Sequence, residues 1–475
     1  MAVWAGLECS LTRVGDSVYD QFAVGGHYDR DGDIDHVADL GVRTVRYPVS
    51  WERVCPDGDL THADWDWTDR QMYRWHERGI SVIAGLVHHG SGPLAHTSLI
   101  DPDFPRKLAR FARAAAERYP WVTLWTPVNE PLTTARFSAL YGVWYPHHRS
   151  EESFARALLN EVRGTVYAMR AIREVIPDAK LVQTEDLGRT YATRRLGYQA
   201  DFENTRRWVT WDLLAGYVRD ARHRMWGHFL SAGIPADELR ELSEFPCPPD
   251  IIGVNHYLTS ERFLDERTER YPKHSHGGNG WDRYADIEAV RVLSDGLRGG
   301  IGGVLKEAWD RYHIPIAVTE VHLGVHDETE QMRWFADVWQ AARNVREAWG
   351  ADIRAITAWS VFGAHDWNSL MTRPDRVYER GLWDMEQPNP DGTPRETQLA
   401  GLVRSLAQHG ETPPLDALTA PGWWQCDLRF LYPSVESQEL AGGGSRIRPL
   451  WKPAKFATAR SGGQRQPSAI RVLGR

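Results

Sequence analysis

Two glutamates stand where short apolar runs stop: Glu130 in WTPVNEP (125–131) and Glu320 in PIAVTEVH (315–322). Set on either side of a cleft, two carboxyls can break a glycosidic bond. One protonates the leaving oxygen, and the other, ionised, attacks the sugar carbon or activates water. Environment separates the roles: a cation beside an acid favours its anion, while a second negative charge nearby favours keeping the proton. Arg46 is a candidate partner for an ionised Glu320, and Glu130, beside the neutral Asn129, is the candidate proton donor. Taken singly, a glutamate at a strand end reads as a solvated or capping residue. The pair carries meaning only if the fold brings the two acids together.

The elements that must do this alternate regularly. Strands are expected at 2–8, 42–51, 80–87, 122–130, 179–185, 250–257, 315–320 and 353–363. Helical periodicity falls between them at 63–79, 104–120, 151–176, around 202–231, 302–313, 328–349 and 395–408. Parallel strands need crossovers, and eight strand–helix units over about 400 residues fit a closed (β/α)8 TIM barrel, an α/β fold with long βα loops. An open doubly wound sheet is the alternative, but no early strand is followed by its Gly-rich phosphate turn. In such a barrel the chemistry sits at the C-terminal ends of strands. Glu130 and Glu320 end the fourth and seventh strands. Arg46 lies in the second, His88 follows the third, Asn255 and Tyr257 close the sixth, and Trp359 ends the eighth.

Composition excludes other classes. The net charge of −8 argues against nucleic acid as a partner, and no run approaches the ~18 apolar residues of a membrane span. The four cysteines are far apart and form no CxxC pair, so free thiols in a reducing cytoplasm are expected. No metal or cofactor is expected: the histidines 27, 88, 89, 147 and 148 lack ligand spacing. DRDGDID (29–35) has calcium-loop acids without the closing glutamate, and predicts a polar turn capping the first helix. Residues 441–475 hold eight basic and no acidic residues. Removing them leaves 48 basic against 64 acidic, a body of −16. The organisation expected is a barrel over 1–412, an extension packing on it over 413–440, and a disordered basic tail over 441–475.

With these residues placed, the chain resembles family 1 glycoside hydrolases, the β-glucosidase-like retaining enzymes, in order over about 400 residues. VRYPVSWERV, LVHHGSGPL, TPVNEP, DIIGVNHYLTS, AVTEVH and ITAWSVFGAHDW carry the likeness. The resemblance implies Glu130 as general acid/base and Glu320 as nucleophile, held and kept ionised by Arg46 and Tyr257. It implies Asn129 on the sugar 2-hydroxyl, His88 and Trp367 lining the same subsite, and Trp359 as stacking platform. It also implies retention through a covalent glycosyl-enzyme.

The chain departs from the family pattern at Glu8, where a glutamine is usual, at His89 for a tryptophan, and at Val321 and His322 for Asn-Gly. Asp366 stands where a glutamate grips the far hydroxyls. One methylene shorter, it shifts a direct contact by about 1.5 Å, enough for a water bridge. The expected function is a retaining β-glycosidase acting on a small glycoside or oligosaccharide. The second reading is a non-catalytic sugar-binding barrel, akin to the front portions of proteins that continue into dTDP-4-dehydrorhamnose reductase-type domains.

Overall fold

The computed structural model describes residues 1–93, 97–293, 299–425 and 431–433, with backbone alone at 291–293 and 431–433. Eight parallel strands close into a barrel in chain order. They are β1 (Ala2–Gly6), β2 (Thr44–Pro48), β3 (Ser81–His88), β4 (Leu124–Asn129), β5 (Lys180–Asp186), β6 (Ile251–Asn255), β7 (Ile316–Val321) and β8 (Ile353–Ala358). Closure runs from Ala2↔Ala355 to Ala5↔Ala358 between β1 and β8.

Outside lie α1 (Asp33–Asp39), α2 (Asp66–Glu77), α3 (Phe104–Arg118), α4 (Glu151–Val175), α5 (Val209–Leu214), α6 (Gly300–Tyr312), α7 (Glu328–Trp349) and α8 (Gln398–His409). Their apolar stripes cover the barrel. In α3, Phe104, Leu108, Phe111, Ala112 and Ala115 are all buried at helical spacing. The bounds of α7 match the sequence expectation because both ends carry stop signals. Asp327 accepts from the Thr329 and Glu330 N–H groups at one end, and Gly350 takes φ 66° at the other.

Inside the barrel, Trp4, Ile83, Val182 and Ala317 pack together. These four come from β1, β3, β5 and β7, an alternate-strand layer of the kind that fills a barrel, with Ala355 of β8 packed against them.

Two expectations need correction, and one feature is new. The helix expected around 202–231 is broken into Gly197–Arg206, α5 and Trp226–Ser231, with Gly216 at φ 73° turning the chain after α5. The acids of 29–35 do not cap α1, whose N-cap is Gly32. Asp33 instead takes His27 at 2.6 Å and Arg30 at 2.9 Å. Finally, the loops after β5 and β6 build an unforeseen four-stranded sheet from Thr190–Ala192, Arg262–Asp265, Arg283–Glu288 and His276–Gly278.

After α8 the chain packs on α7. Arg333 donates to the Ala417 carbonyl at 2.8 Å, and the Trp424 indole donates to Asp337 at 3.0 Å. The expected tail at 441–475, most of 426–440, and Cys426 lie outside the described residues. No described helix is long and apolar enough to cross a membrane.

Candidate active site

The register of β7 slips between Val318 and Glu320 against β6, and between Val318 and Val321 against β8. Such irregularities re-aim a side chain at a barrel rim, and here Glu320 is turned to the interior and buried. Arg46 on β2 donates from Nη1 to Glu320 Oε1 at 2.7 Å and to the Thr319 carbonyl at 2.8 Å. The Tyr257 hydroxyl donates to Glu320 Oε2. Burial raises the Glu320 carboxyl above the ordinary carboxylate value, while the charge of Arg46 and the Tyr257 hydrogen bond oppose that rise. Gly6 leaves room for this arrangement, since a Cβ there would lie 2.5 Å from the Trp359 ring.

Glu130 follows the last residue of β4 and takes φ 47°, ψ 64°. A left-handed glutamate is strained by ~1–3 kcal/mol and persists only when its surroundings fix it. They do. Pro131 opens the helix Pro131–Ala135, whose free N–H groups at Leu132 and Thr133 donate to Glu185 at 2.8 and 3.2 Å. Asn255 Nδ2 donates to Glu130 Oε1, and Asn255 Oδ1 accepts from Thr319 Oγ1 at 2.7 Å, which fixes the amide's orientation.

The Glu130 carboxyl is raised well above the ordinary range. Burial is the largest cause, followed by the negative charges of Glu320, Glu185 and Asp186. The two acids are thus inequivalent: Glu130 keeps its proton among anions, and Glu320 has a cation at its side.

Asn129 is anchored through Oδ1 by Arg46 Nη2 at 2.8 Å and Thr184 Oγ1 at 2.7 Å. Its Nδ2 therefore faces His88 Nε2 at 3.2 Å and His89 Nε2 at 3.4 Å, so both imidazole nitrogens accept. Burial lowers both histidines, His89 to about 3, and keeps them neutral. His88 stacks on Trp359, 5.7 Å between centroids at 7°, and Arg46 lies 4.6 Å from that same indole.

A cavity of about 380 Å³ opens here, within the ~300–1,000 Å³ usual for small-molecule sites. Its inner wall is Glu8, His89, Glu130, Tyr257, Glu320, Trp359 and Trp367. Arg46, Asn129 and Asn255 stand behind that wall, and His89 occupies the lining position expected of His88. Glu8 accepts from Ser10 N at 2.9 Å and is pushed up to about 7, mainly by burial. The Trp367 indole N–H lies near the Glu8 carboxyl without a well-formed hydrogen bond.

Asp366 departs from expectation. It is fully buried and does not line the cavity. Tyr19 Oη donates to its Oδ2 at 2.5 Å and Val377 N to its Oδ1 at 2.8 Å. The shorter side chain is occupied by its own scaffold, away from the cavity wall.

Sequence reasoning missed Glu185 and Asp186, adjacent acids at the end of β5 in QTED, although strand-end position is the signal that found Glu130 and Glu320. It also missed the His322–Glu379 pair at 3.0 Å, both on the cavity wall. Among the described residues no group of three or more His, Cys, Asp or Glu is set to hold a metal ion.

Comparison with known proteins gives the family and the fold. The family model for glycosyl hydrolase family 1 matches residues 9–374. Beta-glucosidase 47 of Arabidopsis thaliana is 23% identical over 431 residues, 81% of this chain and 76% of that protein. Beta-glucosidase A of Thermotoga maritima is 23% identical over 371 residues, 72% of this chain and 78% of that one. The solved β-glucosidase from Thermotoga maritima in complex with deoxynojirimycin shares the fold. Its TM-score is 0.66 at 17% identity, over 86% of this chain and 97% of that one.

Proposed function

The chain belongs to glycosyl hydrolase family 1 and is a β-glucosidase-like glycoside hydrolase, and from that premise we propose that it cleaves small β-glycosides with retention. Glu130 gives its proton to the glycosidic oxygen as the Glu320 carboxylate attacks the anomeric carbon, releasing the alcohol and leaving a glycosyl ester on Glu320. Water then attacks that carbon, Glu130 takes the water's proton, and Glu320 leaves as the carboxylate.

The observation that carries this reading is the asymmetry of the two acids: Arg46 and Tyr257 hold Glu320, while Glu130 is buried with no cation paired to it among the described residues and with the carboxyls of Glu320, Glu185 and Asp186 nearby. Arg46 and Tyr257 orient the nucleophile. Asn129 and Asn255 brace the acid's end of the site, Trp359 and Trp367 take the sugar ring, and Glu8 and His89 take its hydroxyls. Asp366 holds a loop and reads no sugar. The free thiols of Cys9, Cys55 and Cys247 fit a reducing compartment, the cytoplasm.

A barrel that only binds sugar has no use for a clamped carboxylate facing a proton-bearing one, so the second reading is disfavoured. The proposal is tested by the stereochemistry of turnover. ¹H NMR of the sugar first released from an activated β-aryl glycoside should show the β anomer. First appearance of the α anomer would exclude the covalent route.

A further inference from the structure

Four arginines line the cavity beyond the two acids: Arg136, Arg206, Arg207 and Arg262. Three are matched with carboxylates. Arg206 pairs with Glu203, Arg207 with Glu307 at 2.5 Å, and Arg262 with Asp286 at 2.7 Å and Glu288 at 3.3 Å. Arg136 has no carboxylate within ion-pair distance among the described residues, and its Nε is buried without a hydrogen-bond partner.

A guanidinium is always charged, and its fork of N–H donors matches a carboxylate or phosphate edge. Arg136 is half-buried, and Arg206 Nε is likewise without a partner, so what sets Arg136 apart is a charge on the cavity wall that no described carboxylate matches. The local backbone supports this. Arg136 opens a π-helical turn, Arg136–Leu140, with Tyr141 N donating to its carbonyl at 2.8 Å. Such turns insert a residue and redirect a side chain, often at functional sites.

Its place in the cavity decides which part of a substrate it meets. Arg136 lies six residues after Glu130, on the segment that carries the acid. The leaving group departs on the acid's side, because Glu130 must reach its oxygen. Glu8 and Glu320 also line the cavity, so an anionic sugar seated on them would meet carboxyls, while Glu203, Asp286 and Glu288 on the same lining are already matched by Arg206 and Arg262.

We propose that Arg136 binds an anionic group, a carboxylate or a phosphate, carried by the leaving group of the substrate. This rests on the hydrolase reading above, in that it takes Glu130 to mark the leaving-group side. Arg136 is here a specificity residue that takes no part in bond cleavage.

The test separates binding from turnover. Non-hydrolysable aryl β-thioglycosides are prepared in gluco, galacto and xylo series, each with a 4-carboxylate, a 4-phosphate or the neutral methyl ester of the carboxylate. Their affinities are measured by titration calorimetry. At least one anionic arm should bind about tenfold or more tighter than the ester, the worth of one charge-assisted hydrogen bond. The arm that gains more identifies the group. Arg136→Gln should abolish the preference while leaving the ester unchanged, and Arg136→Lys should restore part of it.

Equal affinity of ester and anions, an equal loss of both in Arg136→Gln, or no binding of any anionic compound would overturn the proposal. Hydrolysis of the matching neutral oxygen glycosides is scored separately. Its absence, with the binding preference intact, would count against the hydrolytic mechanism and not against the anion site.

Discussion

Arg46 Nη1 stands 2.7 Å from Glu320 Oε1 in a buried ion pair, and its Nη2 reaches Asn129 at 2.8 Å. One guanidinium from β2 thereby ties together the ends of β7 and β4, the strands that bear the two acids. Breaking a buried pair from one side leaves a charge without compensation.

Arg46→Met is accordingly expected to destabilise the fold by ~3–5 kcal/mol in chemical denaturation, and to lower kcat/KM by about 10²–10³. It should also move the acid limb of the pH–rate profile. Glu320 acts as the anion, and Arg46 opposes the rise that burial imposes. Without the arginine that carboxyl titrates higher, so activity is lost at a higher pH on acidification. An acid limb unchanged in a folded variant would contradict the clamp.

Glu130→Gln removes the proton and keeps the shape. For glycosides with poor leaving groups, kcat/KM should fall by about 10³–10⁴, the upper range for a general acid. For a dinitrophenyl glycoside, whose leaving group needs no proton, the first step should be nearly unaffected. Initial rates on the two substrate types check this, and equal losses would remove Glu130 from its role.

Asp366→Ala tests whether the altered position reads sugar. Its carboxylate is held by Tyr19 and the Val377 amide and does not line the cavity. The variant should lose ~1–3 kcal/mol of stability, from a buried hydroxyl and amide left unpaired. The ratio of kcat/KM for gluco and galacto substrates should stay the same. A shift of that ratio by about tenfold would return Asp366 to the sugar.

The (β/α)8 order was legible in the sequence because a buried strand and an amphipathic helix have different periods. The bounds of α7 were legible because Asp327 and Gly350 mark them chemically. The strand-end rule located Glu130 and Glu320. It also points to Glu185 and Asp186, which the sequence reading passed over for want of a neighbouring motif.

Asp366 misled because type and position look like a sugar ligand, whereas its partner Tyr19 lies 347 residues away in sequence. The sheet over the barrel mouth escaped notice because its four strands have only three to six residues each, too short for a periodic pattern. The role of Arg136 depends on which carboxylates fail to meet it, and no local pattern encodes that.

Glu161 offers a test of buried acidity away from the chemistry. It lies in α4, fully buried, and neither carboxyl oxygen has a hydrogen-bond partner. Burial, and secondarily the charge of Glu185, raises it well above its usual 4.5. A raised folded-state value favours the protonated fold. The associated stability is complete below about pH 4.5 and is lost as pH climbs toward the folded value. Glu161→Met should therefore raise the Tm, with a gain larger at pH 8 than at pH 5. A gain independent of pH would show that the carboxyl is not titrating in this way.

The covalent step is tested most directly by trapping it. The protein is incubated with activated 2-deoxy-2-fluoro β-glycosides of several sugars, digested, and mapped by mass spectrometry. The expected result is one stoichiometric glycosyl adduct, on Glu320, formed by whichever sugar the cavity accepts and absent in Glu320→Gln. An adduct on another residue, or none from a folded protein that still hydrolyses the parent glycosides, would contradict Glu320 as the nucleophile.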